Sequence, residues 1–100
     1  MVRTIIWTHQ ADADLNNAFL ALLEQTESLG ITARVIGEIY ESTTILAENA
    51  EIYKLDALKT NNKGNIRAYE KHSYRISYII ETIAIFIIRI RYARKEPKEY

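Results

Sequence analysis

The last third of the chain gathers the side chains best suited to hold an anion. Arg67, Arg75, Arg89, Arg91 and Arg94 fall within 28 residues, interleaved with Tyr69, Tyr74, Tyr78, Tyr92 and Tyr100. Arginine supplies a permanent charge and a fork of N–H donors that matches carboxylate or phosphate oxygens. Tyrosine adds a flat face for stacking and a phenol that transfers protons only when cationic neighbours lower its pKa. Two readings are open from the residues alone. The arginines meet an external anion such as a nucleic-acid backbone, or they pair with carboxylates of this chain or of a protein partner.

Charge distribution frames that choice. The chain is formally neutral, with 13 basic and 13 acidic residues. Residues 1–53 nevertheless hold two basic and eight acidic side chains, and residues 54–100 hold eleven basic and five acidic ones. The halves therefore carry −6 and +6, and a basic surface within one domain is implied. Lys54, Lys59 and Lys63 extend the basic set into the segment before the strands. Other constellations are weaker. His9 and His72 lack metal-ligand spacing, so no metal or other cofactor is expected. Asp12 and Asp14 point apart at i, i+2 on a helix, which suits the helix dipole better than paired-carboxylate catalysis. The stretch "NNKGN" lacks the glycine pattern of a phosphate-cradling loop and precedes a strand. With no cysteine there is no disulfide framework. No apolar run is long enough to span a bilayer and the N-terminus does not read as a signal peptide, so a cytoplasmic protein is expected.

The elements that position these residues follow from periodicity. One hundred residues with 48% hydrophobic content fit a single domain, 1–100, with one modest core. "RTIIW", residues 3–7, reads as a short strand. From Asp12 to Ser28, Leu15, Ala18, Phe19, Leu22 and Leu23 form one helical stripe, with Thr8 as a cap and Gly30 ending the helix. A second helix is expected from Thr32 to Asn49, carrying Val35, Ile36, Ile39, Tyr40 and Leu46. Gly37 within it implies a close approach of another element. The short link makes the two helices a hairpin. Residues 50–65 carry no sustained period, and "NNKGN" marks a turn.

Three strands follow: "IRAYEKH", "YRISYII" and "IAIFIIRIRYA", with Pro97 marking the end. Short connections make them an antiparallel meander, and the last is apolar on both faces as a central strand should be. The order is β-α-α-β-β-β, an α+β fold with the helical hairpin packed on one face of a four-stranded, mainly antiparallel sheet. Tyr74 and Tyr78 belong to the core. The face away from the helices should carry Arg75, Ser77, Arg89 and Arg91, if a three- or five-residue loop after the third strand sets the register.

Three segments carry a resemblance: "IIWTHQADADL", "IRAYEKHSYRISYIIE" and "IIRIRYARKEP". In this order and spacing the chain resembles the RelE/ParE superfamily, the toxins of type II toxin–antitoxin pairs, also called plasmid stabilisation proteins. The resemblance implies a cognate antitoxin whose C-terminal segment folds on binding, across the helical hairpin or as an added strand, and a homodimer or a heterotetramer with the antitoxin as the assembly. It divides the action in two. RelE-like members are ribosome-dependent mRNA endoribonucleases, or mRNA interferases, and on that branch Arg75, Arg94 and Tyr100 match the catalytic set, with Arg67 assisting. Such cleavage needs a base for the 2′-OH, charge stabilisation of a phosphorane and a proton for the leaving 5′-oxygen. The RelE pattern has paired lysines where Arg67 and Tyr69 stand here. ParE-like members inhibit DNA gyrase and lack the nuclease set; their last strand commonly has a histidine where Tyr92 stands. The ParE-like reading is taken, with Lys54, Lys59, Lys63, Arg89, Arg91 and Tyr92 as target- or nucleic-acid-binding residues. The endoribonuclease is its alternative, and a non-toxic interaction module is the third.

Overall fold

A computed structural model describes residues 2–94 and 99–100 of the chain; Pro97, expected to mark the end of the last strand, lies outside them. Strand β1 (Thr4–Trp7) leads into helices α1 (His9–Thr26) and α2 (Leu29–Ser42). A 3-10 turn at Thr44–Ala47 follows, and then the strands β2 (Ile66–Lys71), β3 (Tyr74–Ile80) and β4 (Ala84–Tyr92). The sheet order is β1-β4-β3-β2, with β1 parallel to β4 and the meander antiparallel. This is the expected α+β order, and β4 is central between β1 and β3.

Thr8 joins the first strand to the first helix. Its Oγ1 accepts from the Ala11 N–H at 3.2 Å and donates to the Ile87 carbonyl at 2.9 Å, while its own N–H bonds the same carbonyl. One side chain thus caps α1 and fixes the helix start against β4. The helix boundary after it differs from expectation. Glu27, not Gly30, takes the left-handed conformation at φ 54°, and its N–H bonds Leu23 O. Ser28 then caps α2 through Oγ to the Ile31 N–H, so Gly30 lies inside the helix. A serine oxygen able to serve orphan N–H groups outweighs a glycine two residues later. Helix α2 also stops earlier than expected, at Ser42. Ser42, Thr43 and Thr44 bond back to the carbonyls of Ile39, Tyr40 and Glu41, and such back-bonding bends and ends a helix. A Cβ at Gly37 would meet no atom within 4 Å, so no close approach explains that glycine.

The core lies between the hairpin and one sheet face: Ala11, Ala18 and Ile39 from the helices meet Ile76, Tyr78, Ile85, Ile87 and Ile90. Tyr74 and Tyr78 are buried as expected, and Tyr78 donates its hydroxyl to Ala50 O at 2.6 Å. Which residues share a face is decided in β4. Ile80 pairs with Ile85 and Tyr78 with Ile87, but Ser77 pairs with Arg89. Ile88 has no partner and forms a β-bulge. The connection has the expected three residues, Glu81–Ile83, yet its register alone would place Ile90 opposite Arg75. The bulge shifts the pairing by one, so Ile90 joins Ile76 in the core and Arg91 stands opposite Arg75.

The segment after the 3-10 turn closes the other sheet edge. The Asp56 N–H bonds Ile66 O at 2.9 Å and the Ala68 N–H bonds Lys54 O at 3.1 Å, so residues 54–56 shield the edge of β2. The expected turn is present at Asn61 and Gly64, both at positive φ, with the Asn62 side chain accepting from Gly64 and Ile66 N–H groups. Replacing Gly37 by Ala should raise the free energy of unfolding by about 0.5–1 kcal/mol, because the site is helical and uncrowded. Urea unfolding checks this; a lowered midpoint would mean that the position needs glycine for a reason other than space.

Candidate functional site

On the sheet face away from the helices, β3 presents Arg75 and Ser77, whose alternate neighbours Tyr74, Ile76 and Tyr78 are in the core. The chain after Leu55 folds over this face and inserts Asp56 between them. Asp56 is 2% exposed. Its Oδ1 accepts from Arg75 Nη2 at 2.6 Å and from the Leu58 N–H at 3.0 Å. Its Oδ2 accepts from Ser77 Oγ at 2.9 Å and from the Tyr100 hydroxyl. A carboxylate so deeply buried is tolerated only when paired and hydrogen-bonded, and all four contacts satisfy that need.

Tyr100 is held by more than its phenol. Its backbone N–H bonds Leu58 O at 2.9 Å, and its backbone oxygen accepts from the Thr60 N–H, Thr60 Oγ1 and Lys59 Nζ. Arg91 lies over its ring, 4.5 Å from the centroid, with Lys59 at 5.2 Å. The proton affinities follow from this packing. Burial alone would raise the Asp56 carboxyl, but hydrogen bonds from Tyr100, Arg75, Leu58 and Ser77 together outweigh it and hold the group below its ordinary value. Burial, reinforced by the bond to Asp56, pushes the Tyr100 phenol up to about 12. The cluster is therefore a locked ion pair with a protonated tyrosine. In this arrangement Arg75 is already spent on a carboxylate, and Tyr100 is shifted away from the range in which a phenol exchanges protons at neutral pH.

The remaining candidates are distributed elsewhere. Arg67 pairs across from Tyr78 and so lies on the helix-packed face with Tyr69, not beside Arg75; its Nη1 donates to Tyr53 O at 2.6 Å. The reason is the strand's two-residue period, which puts Arg67 and Glu70 on opposite sides. Arg94 is exposed and donates to Ser73 Oγ at 3.0 Å, at the β2–β3 turn rather than in the Asp56 cluster. Arg89 turns to helix α1, where its Nε donates to Asp14 Oδ2 at 2.9 Å. The same oxygen accepts from the Ile90 N–H, so Asp14 caps the β4 edge as well as pairing with Arg89. Its role is thus more than a partner of the helix dipole. Lys54 and Lys63 are exposed, on the β2-edge segment and in the turn. Tyr92 lies on the helix side, its ring 5.3 Å from that of Tyr74. His72 bonds Glu38 at 2.6 Å. Asp56 was not singled out by sequence reasoning. The signal was there: it is the only acidic residue between Glu51 and Glu70, within the most basic half of the chain.

A second feature lies on the helix side. β1 pairs with β4 only over Ala84–Ile87, so among the described residues the rest of β4 has no strand neighbour on that edge. Beside it runs a groove of about 360 Å³ between α1 and the sheet, lined among others by Asn17, Ala18, Ala21, Tyr74, Ile90 and Tyr92.

If Asp56 and Arg75 stabilise each other as the geometry indicates, Arg75→Ala should cost about 3 kcal/mol or more, because it leaves a buried carboxylate uncompensated. Asp56→Ala should cost less, since Arg75 keeps partial solvent access. The double substitution should fall well short of the sum. Chemical unfolding of the four proteins measures this coupling; additive losses would show that the two residues do not interact.

The comparisons with known proteins agree with this architecture. Residues 5–97 match the family described as ParE toxin of the type II toxin–antitoxin system, parDE. The fold is similar to that of a chain from the chromosomal ParDE system of P. aeruginosa, at TM-score 0.71 and 18% identity, covering 93% of this chain and 98% of that one. No curated protein matches. Among the described residues no helix is long and apolar enough to cross a membrane. With the family match extending over nearly the whole chain, from β1 past the end of β4, the chain belongs to the ParE toxin family of type II toxin–antitoxin systems.

Proposed function

We propose that this toxin acts in the cytoplasm by binding a protein target, DNA gyrase, rather than by cutting RNA. The observation that carries this reading is the occupation of Arg75 and Tyr100 by Asp56. An endoribonuclease would need that arginine for the phosphorane and a phenol tuned towards neutrality. Here the arginine is neutralised and the phenol raised. Arg67 and Arg94 also stand apart from the cluster, so the set expected of a RelE-like nuclease is not assembled in one place.

The cognate antitoxin, on this reading, docks its folding segment in the groove between α1 and β4. The groove is mostly apolar, and it adjoins the end of β4, which lacks a strand neighbour among the described residues; an extended segment can add backbone hydrogen bonds there beyond Ile90, whose N–H Asp14 already takes. Tyr74 and Tyr92 form an aromatic floor of the kind that anchors interfaces. Ala21 is exposed on its wall. Ala21→Arg should leave folding intact and weaken antitoxin binding at least about tenfold, about 1.4 kcal/mol. Titration calorimetry against the protein encoded beside this chain checks it; unchanged affinity would place the antitoxin elsewhere.

Controlled expression separates the modes of action. The proposed toxin should stop growth, induce the DNA-damage response and leave transcript ends unchanged. Purified gyrase should lose supercoiling activity in its presence. New transcript ends without DNA damage would instead establish the endoribonuclease, and harmless expression would leave only an interaction module. Arg75→Ala is a poor probe of catalysis in this protein, because it also leaves the buried Asp56 carboxylate uncompensated.

A further inference from the structure

The donors around Asp56 are arranged as an anion site would be. Four of them converge on one small volume from three parts of the chain: the Leu58 N–H, Arg75 and Ser77 on β3, and the Tyr100 hydroxyl. Arg75 reaches the position directly, and two further cationic side chains, Lys59 and Arg91, flank the ring of Tyr100. Asp56 uses both oxygens twice. Arg75 Nε is nevertheless buried and has no hydrogen-bond partner among the described residues. A planar carboxylate has no further oxygen to offer that N–H. A tetrahedral anion does, and an unpaired buried donor is costly enough to make the difference matter.

We propose that Arg75, Ser77, Tyr100 and the Leu58 N–H form a phosphate-type oxyanion site, that Asp56 is its built-in occupant, and that the segment 55–62 is the gate that places it there. The gate is held by polar contacts: the Asp56 N–H bonds Ile66 O on the edge of β2, and Asn62 Nδ2 reaches Asp56 O. Beyond Asp56 itself, residues 58–60 are tied to Tyr100 by backbone bonds and by Lys59 and Thr60, and Asn62 ties the far end to Ile66. Most of the segment is exposed or half-exposed, so its withdrawal uncovers little core. External phosphate and Asp56 compete for one set of donors, and the closed state excludes the anion. This inference concerns the sheet face away from the helices and does not depend on gyrase being the target.

The test uses the full chain with Asp56→Ala and Asp56→Asn, titrated with inorganic phosphate and, separately, with a short single-stranded RNA. Amide shifts at Leu58 and Ser77 follow binding, and the thermal midpoint follows linkage. Wild type should show no saturable change with inorganic phosphate in the low millimolar range. Asp56→Ala should bind at least tenfold more tightly than wild type and be stabilised by phosphate, and adding Arg75→Gln should abolish both effects. RNA binding of the same strength per phosphate would identify a nucleic-acid backbone as an acceptable source of the anion; binding of inorganic phosphate alone would restrict the site to small anions. Folded Asp56 variants that bind phosphate no better than wild type would overturn the proposal. Binding that survives Arg75→Gln would do the same, and so would failure of both Asp56 variants to fold, since Asp56 would then be a structural node and not a removable occupant.

Discussion

A carboxylate at 2% exposure has to be neutralised where it sits, and the arrangement of one whole face of this protein follows from that requirement. Asp56 draws Arg75 and Ser77 from β3, the Leu58 amide from its own segment and Tyr100 from more than forty residues away. With Asp56 in place, residues 54–56 line up along β2 and shield its edge, and residues 58–60 receive the backbone of Tyr100. The same contact fixes the chemistry available on that face. Three cationic side chains lie there, yet the one best placed among them to meet a phosphate already serves a carboxylate.

The two faces of the sheet consequently have separate tasks. The helix side holds the core and, towards the end of β4, a groove with an aromatic floor beside a stretch of unshared strand edge. Asp14 belongs to this side; it pairs with Arg89 and takes the Ile90 N–H, so one acidic residue of the N-terminal half anchors the start of the basic strand end. The opposite face is closed by Asp56. The −6/+6 division of the sequence is thus partly consumed inside the molecule, by Arg89 with Asp14, and partly left as exposed lysines such as Lys54 and Lys63.

Much of this was legible before the structure. Hydrophobic periodicity identified both helices and all four strands, because core-facing stripes repeat at 3.6 or 2 residues whatever the partner. The boundaries were harder. Ser28 capping α2 and the back-bonding of Ser42, Thr43 and Thr44 are choices among nearby polar groups, which a period does not decide. The site was legible in its residue types and not in its pairing. Arg75 and Arg91 were expected on one face and stand opposite each other, but through the bulge at Ile88 and not through loop length alone. Arg67 was grouped with Arg75, although the two-residue period of β2 and its register against β3 send it to the other side. Asp56 escaped notice because its role comes from contacts across 19 to 44 residues of sequence, which no local pattern encodes.

The most direct measurement is the pH titration of the Asp56 carboxyl carbon by NMR in the intact protein. A carboxylate receiving Arg75, Ser77, Tyr100 and an amide must titrate below the ordinary aspartate value of about 3.9. Its contribution to stability is then complete above that pH and is lost as pH falls through the depressed midpoint. A midpoint at or above the ordinary value would mean that burial outweighs the donors, that Arg75 is not neutralised by Asp56, and that the basic face is open to other chemistry.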